Sequence, residues 1–361
     1  MNIEELEREC FHIDDLNSPA LHLPKTIIAK IKNMNKSPDL FPHKLDIEKN
    51  KIYFSLMNES LYKKSFFILS PGEGPGHLQG NLLFSTNLDS FYSYFRQKGY
   101  ENKSAIIYNH GFCCSTLLTR LLEIEFKIIS LKEPPLLNTL THHLESNEEN
   151  LILKEMVFNI TNRTYRSSQK ALWKPSQYAF DLIGHTEKLN IPSIYLYSPL
   201  REFIASCMKD KRHQWIAERA NYNKIINYLD IKEEVDLSKT YILATLYWCF
   251  LAKKYIYYNS HSSNTLAVNT NNFLTEKSIL KKIGSHLLLK KNMRLFKNKK
   301  IKLLLNNYAK TDDYEFNAQK RNLQLSKIIE SNKKDITYSE NLANKILGIE
   351  MNNFKFDNEI I

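Results

Sequence analysis

Residues 105–122 contain the pattern that most restricts the fold of this chain. Ala105 to Tyr108 is a short apolar run with the composition of a buried strand. A turn of small residues follows, and Ser115-Thr116 then begins a helical pattern of leucines. Backbone N–H groups at such a helix start can bind a phosphate, and the hydroxyls can cap the helix or donate to the anion. The segment predicts either an anion-binding loop or a simple helix cap after a buried strand.

This loop differs from the phosphate-binding loop of kinases and ATPases. That motif ends in Gly-Lys-Ser/Thr, whereas Cys114 and Ser115 occupy the Gly and Lys positions before Thr116. The lysine that reaches the β- and γ-phosphates is therefore missing. The sequence predicts a phosphate-binding loop without the residues that handle a triphosphate.

Strand and helix patterns alternate through most of the remaining chain. Apolar runs predict further strands at Lys127–Leu131, Lys170–Trp173, Ser193–Tyr197 and Thr265–Val268. Helical patterns separate them, and a long helix is predicted over Lys239–Asn259. This alternation predicts an α/β fold, in which a central and mostly parallel sheet lies between layers of helices.

The predicted organisation has three parts. Residues 1–100 form a small N-terminal extension, which is a candidate region for binding an acceptor or a partner. Its one stretch rich in Gly and Pro, residues 71–80, is a loop and a candidate boundary. Residues 101–350 form the α/β domain, with a helical C-terminal part, and residues 351–361 form a tail.

Charge and cysteine content limit the classes of function. The net charge is +11, and residues 277–302 contain nine lysines and one arginine but no acidic residue. This basic segment is interpreted as a solvated helical surface, as a peripheral contact for a membrane or another anionic partner, or as part of the field around a nucleotide. Nucleic acid is not expected, because no nucleic-acid-binding motif is present. Five cysteines without metal-ligand spacing predict a reducing compartment and no metal site.

Two further features bear on location. The N-terminus is acidic, which is not the pattern of a signal peptide. The longest apolar run, Tyr241 to Ala252, is too short to span a bilayer. The chain is therefore expected to be cytoplasmic and to have no transmembrane segment, while its oligomeric state stays open.

Polar residues follow four of the predicted strands. Ligands of an open parallel sheet bind at the carboxyl ends of its strands, so these residues are candidates for a site. They are His110–Thr116, Lys132-Glu133, Lys174-Pro175-Ser176, and Ser198–Arg201 with Ser206 on the following helix. Each residue alone has an ordinary interpretation as a surface or helix-face side chain, but their shared position at one edge of the sheet favours a ligand site.

Two of these stretches resemble the sulfotransferase family of P-loop proteins, and its divergent bacterial members most of all. The family's loop and its Lys/Arg-Glu-Pro strand end are similar to residues 110–122 and to Lys132-Glu133-Pro134. The resemblance covers about residues 103–346. It implies a P-loop type of three-layer sandwich and the transfer of a sulfuryl group from 3′-phosphoadenylyl sulfate (PAPS) to a hydroxyl or amine acceptor.

The resemblance also implies roles for individual residues. Glu133 would remove the proton of the acceptor, and Lys174 would neutralise charge on the leaving phosphate. The loop would bind the 5′-phosphosulfate end of PAPS through Gly111, Cys113, Cys114, Ser115 and Thr116.

The 3′-phosphate of PAPS would lie against Arg201, Ser206 and Lys310 by the same resemblance. Two positions differ from the family pattern. Phe112 replaces a basic residue of the loop, and Ser198 replaces an arginine whose charge Lys310 would supply.

Three classes of function stay open at this point. The first is a sulfotransferase, for which His142 and His143 are alternative bases. The second is another P-loop transferase, such as a small-molecule kinase, which the missing lysine disfavours. The third is a non-catalytic descendant that binds an anion or a nucleotide, which the changed loop residues favour. The acceptor is equally open among lipids, sugars, peptides and other small molecules.

Overall fold

The computed structural model describes residues 10–17, 19, 23–63, 82–95, 104–144, 162–209, 212–218, 220–260, 264–292, 301, 318–351 and 354–360. The strands are β1 (Phe11–Ile13), β2 (Leu40–Asp46), β3 (Lys51–Leu56), β4 (Leu82–Asn87), β5 (Ser104–Asn109), β6 (Ile128–Lys132), β7 (Lys170–Lys174), β8 (Ser193–Tyr197) and β9 (Thr265–Asn269). The helices are α1 (Lys25–Lys32), α2 (Glu59–Tyr62), α3 (Leu88–Phe95), α4 (Ser115–Glu125), α5 (Pro135–Leu144), α6 (Ile183–Lys188), α7 (Leu200–Cys207), α8 (Arg212–Glu218), α9 (Tyr222–Leu229), α10 (Thr240–Asn259), α11 (Thr270–Thr275), α12 (Lys277–His286), α13 (Ala318–Ser331) and α14 (Lys333–Leu347). A 3-10 helix covers Gln177–Leu182.

The fold is α/β. Strands β5 to β9 form a parallel sheet of order β6-β7-β5-β8-β9, and helices flank it. The predicted fold class is confirmed, and each of the five predicted strands is present to within one residue at either end. Every residue of β5 and β8 is buried. Strands of a parallel sheet are covered on both faces, so their continuous apolar runs are easy to recognise in a sequence.

The chain divides into two compact units. Residues 1–106, 119–182 and 288–297 form the first unit, and residues 107–118, 183–287 and 298–361 form the second. The division passes through strand β5, whose first half belongs to the first unit and whose second half belongs to the second.

The first unit contains a separate four-stranded sheet of order β1-β4-β3-β2, in the region predicted as an N-terminal extension. Strands β2 and β3 form an antiparallel hairpin. Asn50 takes a left-handed conformation (φ 52°) in its turn, which asparagine tolerates better than most residues. The buried rings of Phe54 and Phe84 stack on neighbouring strands with their centres 4.8 Å apart. The region is therefore a folded layer with an apolar core of its own.

The second unit is built around α10. This helix is buried along most of its length and packs against α7, α9 and α14. It matches the predicted helix over Lys239–Asn259. Within the described ranges, no helix is long and apolar enough to cross a membrane. Residues 354–360, from the predicted tail, lie beside β9, where the N–H of Ile360 donates to the carbonyl of Ala267 at 2.8 Å.

Candidate functional site

Glu133 and Lys174, the two predicted catalytic residues, form an ion pair in the first unit. Lys174 ends β7, and Glu133 directly follows the neighbouring strand β6. The Glu133 N–H donates to the carbonyl of Lys174 at 2.7 Å, while Lys174 Nζ donates to Glu133 Oε1. The Lys174 side chain has no exposed surface, whereas a quarter of the Glu133 side chain is exposed. The carboxylate is thus the accessible member of a pair that a buried ammonium group holds in place.

A second ion pair lies beside the first. Lys132, opposite Lys174 in the parallel pairing of β6 and β7, is fully buried, and its Nζ lies 2.5 Å from Glu123 Oε1 and 2.8 Å from the carbonyl oxygen of Tyr62. The hydroxyl of Ser130 donates to the same oxygen of Glu123. Burial lowers the pKa of Lys132, and Glu123 opposes that shift. Sequence analysis named Lys132 as a strand-end residue but missed its partner on α4.

The predicted phosphate-binding loop belongs to the second unit and connects β5 to α4. Gly111, Phe112 and Cys114 have φ angles of 83°, 49° and 57°. Cys114, which the resemblance aligns with a glycine, therefore adopts the left-handed conformation for which glycine is favoured. Asn109 Oδ1 holds the loop by accepting from the N–H of Gly111 at 3.1 Å and from the hydroxyl of Ser115 at 3.4 Å. Such a backbone persists only where its surroundings fix it.

His110 joins the loop to the end of β8. Its Nδ1 lies 2.8 Å from the carbonyl oxygen of Gly111, and its Nε2 lies 2.7 Å from the backbone nitrogen of Ser198. The ring therefore donates through Nδ1 and accepts through Nε2, which is possible only for neutral imidazole. Burial lowers the pKa of His110 to about 4.

Because the buried His110 is neutral, we expect the folded protein to lose stability in acid. Between about pH 4 and 6.5 the unfolded chain binds a proton at this residue and the folded chain does not, so stability falls as the pH falls through this range. The whole pKa shift of His110 corresponds to a loss of roughly 3 kcal/mol in the free energy of unfolding. Denaturation at a series of pH values should give a smaller slope for His110→Gln than for the wild type. Burial lowers the pKa of His43 to about 3, so its replacement should remove a further part of the slope. An unchanged slope in both variants would contradict this account.

Ser198, which the resemblance aligns with an arginine, is buried and hydrogen-bonded within the protein. Its side chain is fully buried and donates to the hydroxyl of Thr270 at 3.3 Å. Its carbonyl accepts from Trp248 Nε1 at 3.0 Å. Thr270 also contacts the carbonyl of Cys113 at 3.0 Å. The ends of β8 and β9 thus fix the loop, and Ser198 offers no surface to a phosphate.

Two of the three residues predicted for the 3′-phosphate, Arg201 and Ser206, lie on α7. Arg201 on α7 is half exposed and makes a two-pronged ion pair with Glu340 on α14, which raises the pKa of Arg201. Ser206 is buried near the end of α7. Lys310 lies outside the described residues, as do the side chains of the alternative bases His142 and His143 on α5.

Arg212, which sequence analysis did not identify, lies against the loop. It begins α8, and its guanidinium carbon is 4.5 Å from the centre of the Phe112 ring. Its Nη1 donates to the carbonyl of Ser206 at 2.8 Å. On the next turn of α8, the ring centre of Trp215 is 4.3 Å from that of Phe112, and a Cβ at Gly111 would lie only 3.1 Å from this indole. The loop is therefore packed against an arginine and a tryptophan of the same unit.

In the part of the chain that the structure describes, no group of three His, Cys, Asp or Glu side chains is arranged to hold a metal ion. Of the basic segment 277–302, Lys281 and Lys282 on α12 are exposed, and residues 293–300 lie outside the described ranges.

The sequence matches no model of a known protein family, and no curated protein matches it either.

Proposed function

We propose that this chain is a sulfotransferase-like enzyme that transfers a sulfuryl group from PAPS to a hydroxyl or amine acceptor. The observation that carries the proposal is the Glu133–Lys174 pair at the carboxyl ends of two neighbouring parallel strands. A general base needs a carboxylate that is fixed in place and still reachable. Glu133 meets both requirements, because a buried lysine holds it and part of its side chain is exposed.

The proposed reaction assigns a task to each residue of the pair. Glu133 accepts the proton of the acceptor hydroxyl, whose oxygen bonds to sulfur as the bond from sulfur to the 5′-phosphate oxygen breaks. Lys174 holds the carboxylate of Glu133. Its positive charge is also suited to offset negative charge on the departing phosphate.

The loop of the second unit is assigned to the phosphosulfate. Ser115 and Thr116 begin α4, and backbone N–H groups at the start of a helix can bind an anion. Gly111, Phe112 and Cys114 before them have positive φ angles, which also occur in anion-binding turns. The residues present fit the 5′ end of PAPS better than its 3′-phosphate, since Ser198 is buried and Arg201 is paired with Glu340.

A thermal-shift titration tests the proposal. A ligand that binds only the folded protein at about 100 times its Kd stabilises it by roughly 2.7 kcal/mol, which corresponds to a rise of about 3–6 °C in the melting temperature. Adenosine 3′,5′-bisphosphate should give this rise, and ATP and ADP should not. The double variant Ser115→Ala/Thr116→Val should lose most of the rise, while Glu133→Gln should keep it.

Each alternative function has its own outcome in this titration. A rise with ATP alone would favour a small-molecule kinase. Binding of the bisphosphate without turnover of PAPS on any acceptor would favour a non-catalytic nucleotide-binding protein. No rise with any of the three nucleotides would refute the proposed site.

A further inference from the structure

We propose that Arg212 supplies the cation that the loop between β5 and α4 lacks, and that its guanidinium group holds a phosphate of the nucleotide. This inference rests on the proposed function. The family pattern has a basic residue at the loop position of Phe112, and here the Phe112 ring lies 4.5 Å from the guanidinium carbon of Arg212. Arg212 therefore places a positive charge beside Phe112, although Arg212 belongs to α8 and not to the loop.

The position of the guanidinium group is defined by two contacts. It packs on the Phe112 ring, and its Nη1 donates to the carbonyl of Ser206. An arginine has five N–H donors, and within the described residues no carboxylate forms an ion pair with Arg212. Donors thus remain for an oxyanion, and a planar guanidinium that is already oriented loses little freedom on binding one.

Arg201 is the natural competitor for this role, and its contacts argue against it. Nε and Nη2 of Arg201 donate to the two carboxylate oxygens of Glu340. A phosphate would have to displace a carboxylate that already satisfies this edge of the guanidinium. Arg212 makes no such pair in the described part of the chain, so it can bind a phosphate without breaking an existing ion pair.

The two contacts of Arg212 also join the two stretches that the nucleotide would bridge. Phe112 belongs to the loop assigned to the 5′ end, and Ser206 belongs to the helix assigned to the 3′-phosphate. Both lie in the second unit with Arg212. Since arginine binds phosphate oxygens through two parallel hydrogen bonds, Arg212 in this position is suited to hold one phosphate of the nucleotide.

Calorimetric titration with adenosine 3′,5′-bisphosphate tests the assignment. Arg212→Gln should bind it roughly 10- to 100-fold more weakly than the wild type, as expected for the loss of a charged hydrogen-bond donor. Arg212→Lys should be intermediate, because it keeps the charge but not the planar fork. Arg201→Gln should lose less affinity than Arg212→Gln. The control Arg166→Gln, which changes an exposed first-unit arginine paired with Glu59 at 3.3 Å, should bind as the wild type does.

The possible outcomes separate this inference from the proposed function. If the wild type binds and Arg212→Gln binds equally well, or if Arg201→Gln has the larger effect, the assignment of Arg212 is wrong and the proposed function stands. If the wild type does not bind the bisphosphate, the proposed function fails and the assignment fails with it. Loss of the fold in both Arg212 variants, seen as loss of the cooperative melting transition, would give Arg212 a structural role and contradict the proposal.

Discussion

Glu133→Gln should lower the rate of sulfuryl transfer by roughly two to four orders of magnitude, the usual contribution of a general base. Glutamine has the shape of glutamate, and its amide oxygen can still accept a hydrogen bond from Lys174 Nζ. An amide does not accept a proton at neutral pH. The substitution therefore removes the proton acceptor while it preserves a partner for a lysine with no exposed surface.

Two measurements on the same protein check this result. Transfer is followed as the release of adenosine 3′,5′-bisphosphate from PAPS with an acceptor identified by screening, and nucleotide affinity is measured by calorimetry. Affinity should be nearly unchanged, because the loop assigned to the nucleotide does not include Glu133. Glu59→Gln, which removes a partly exposed carboxylate of the same unit, should keep the full rate. Loss of both transfer and binding, or of neither, would show that Glu133 is not the base.

The central sheet was predictable because its signal is local. All five residues of Ser193–Tyr197 are buried, and a run of this kind is recognised without knowing its neighbours. The N-terminal sheet was not predictable in the same way. Strand β1 pairs with β4, so that Phe11 lies opposite Phe84, and no local pattern encodes a pairing between segments so far apart. For that region the sequence predicted only a small N-terminal extension with a loop at residues 71–80.

The candidate site also has residues that local sequence could predict and contacts that it could not. Glu133 and Lys174 were predictable because each directly follows or ends a recognisable strand, and strand ends of a parallel sheet share an edge. The Glu340 carboxylate that occupies Arg201 and the position of Arg212 over Phe112 both depend on how distant helices pack. No residue type or spacing near Arg201 or Phe112 indicates these contacts. Only tertiary structure assigns them.

Glu123→Gln should destabilise the folded protein by about 3–5 kcal/mol, the expected cost of removing one partner of a buried ion pair. The Lys132 side chain has no exposed surface, and 15% of the Glu123 side chain is exposed. Burial already lowers the pKa of Lys132, and Glu123 is the group that opposes this shift. Without the Glu123 carboxylate, the ammonium of Lys132 would still donate to the carbonyl of Tyr62, but its ion pair with Glu123 would be lost.

Chemical denaturation measures this cost, and two further variants establish its origin. Adding Lys132→Met to Glu123→Gln should recover much of the lost stability, since the uncompensated charge is then absent. The cost of Glu123→Gln alone should also shrink near pH 10, where Lys132 loses its proton more easily in the folded chain than in the unfolded one. A cost that is independent of pH and persists in the double variant would point to lost packing instead of an unpaired charge.

An exposed pair provides the matched control. Lys345 Nζ and Glu233 Oε1 are 3.4 Å apart, and the two side chains are 69% and 74% exposed. Glu233→Gln should therefore cost no more than about 1 kcal/mol. Equal costs for Glu123→Gln and Glu233→Gln would mean that water reaches Lys132. A large difference would show that a buried charge pair fixes the end of β6, and since Lys132 directly precedes Glu133, the same pair would then hold the proposed base in position.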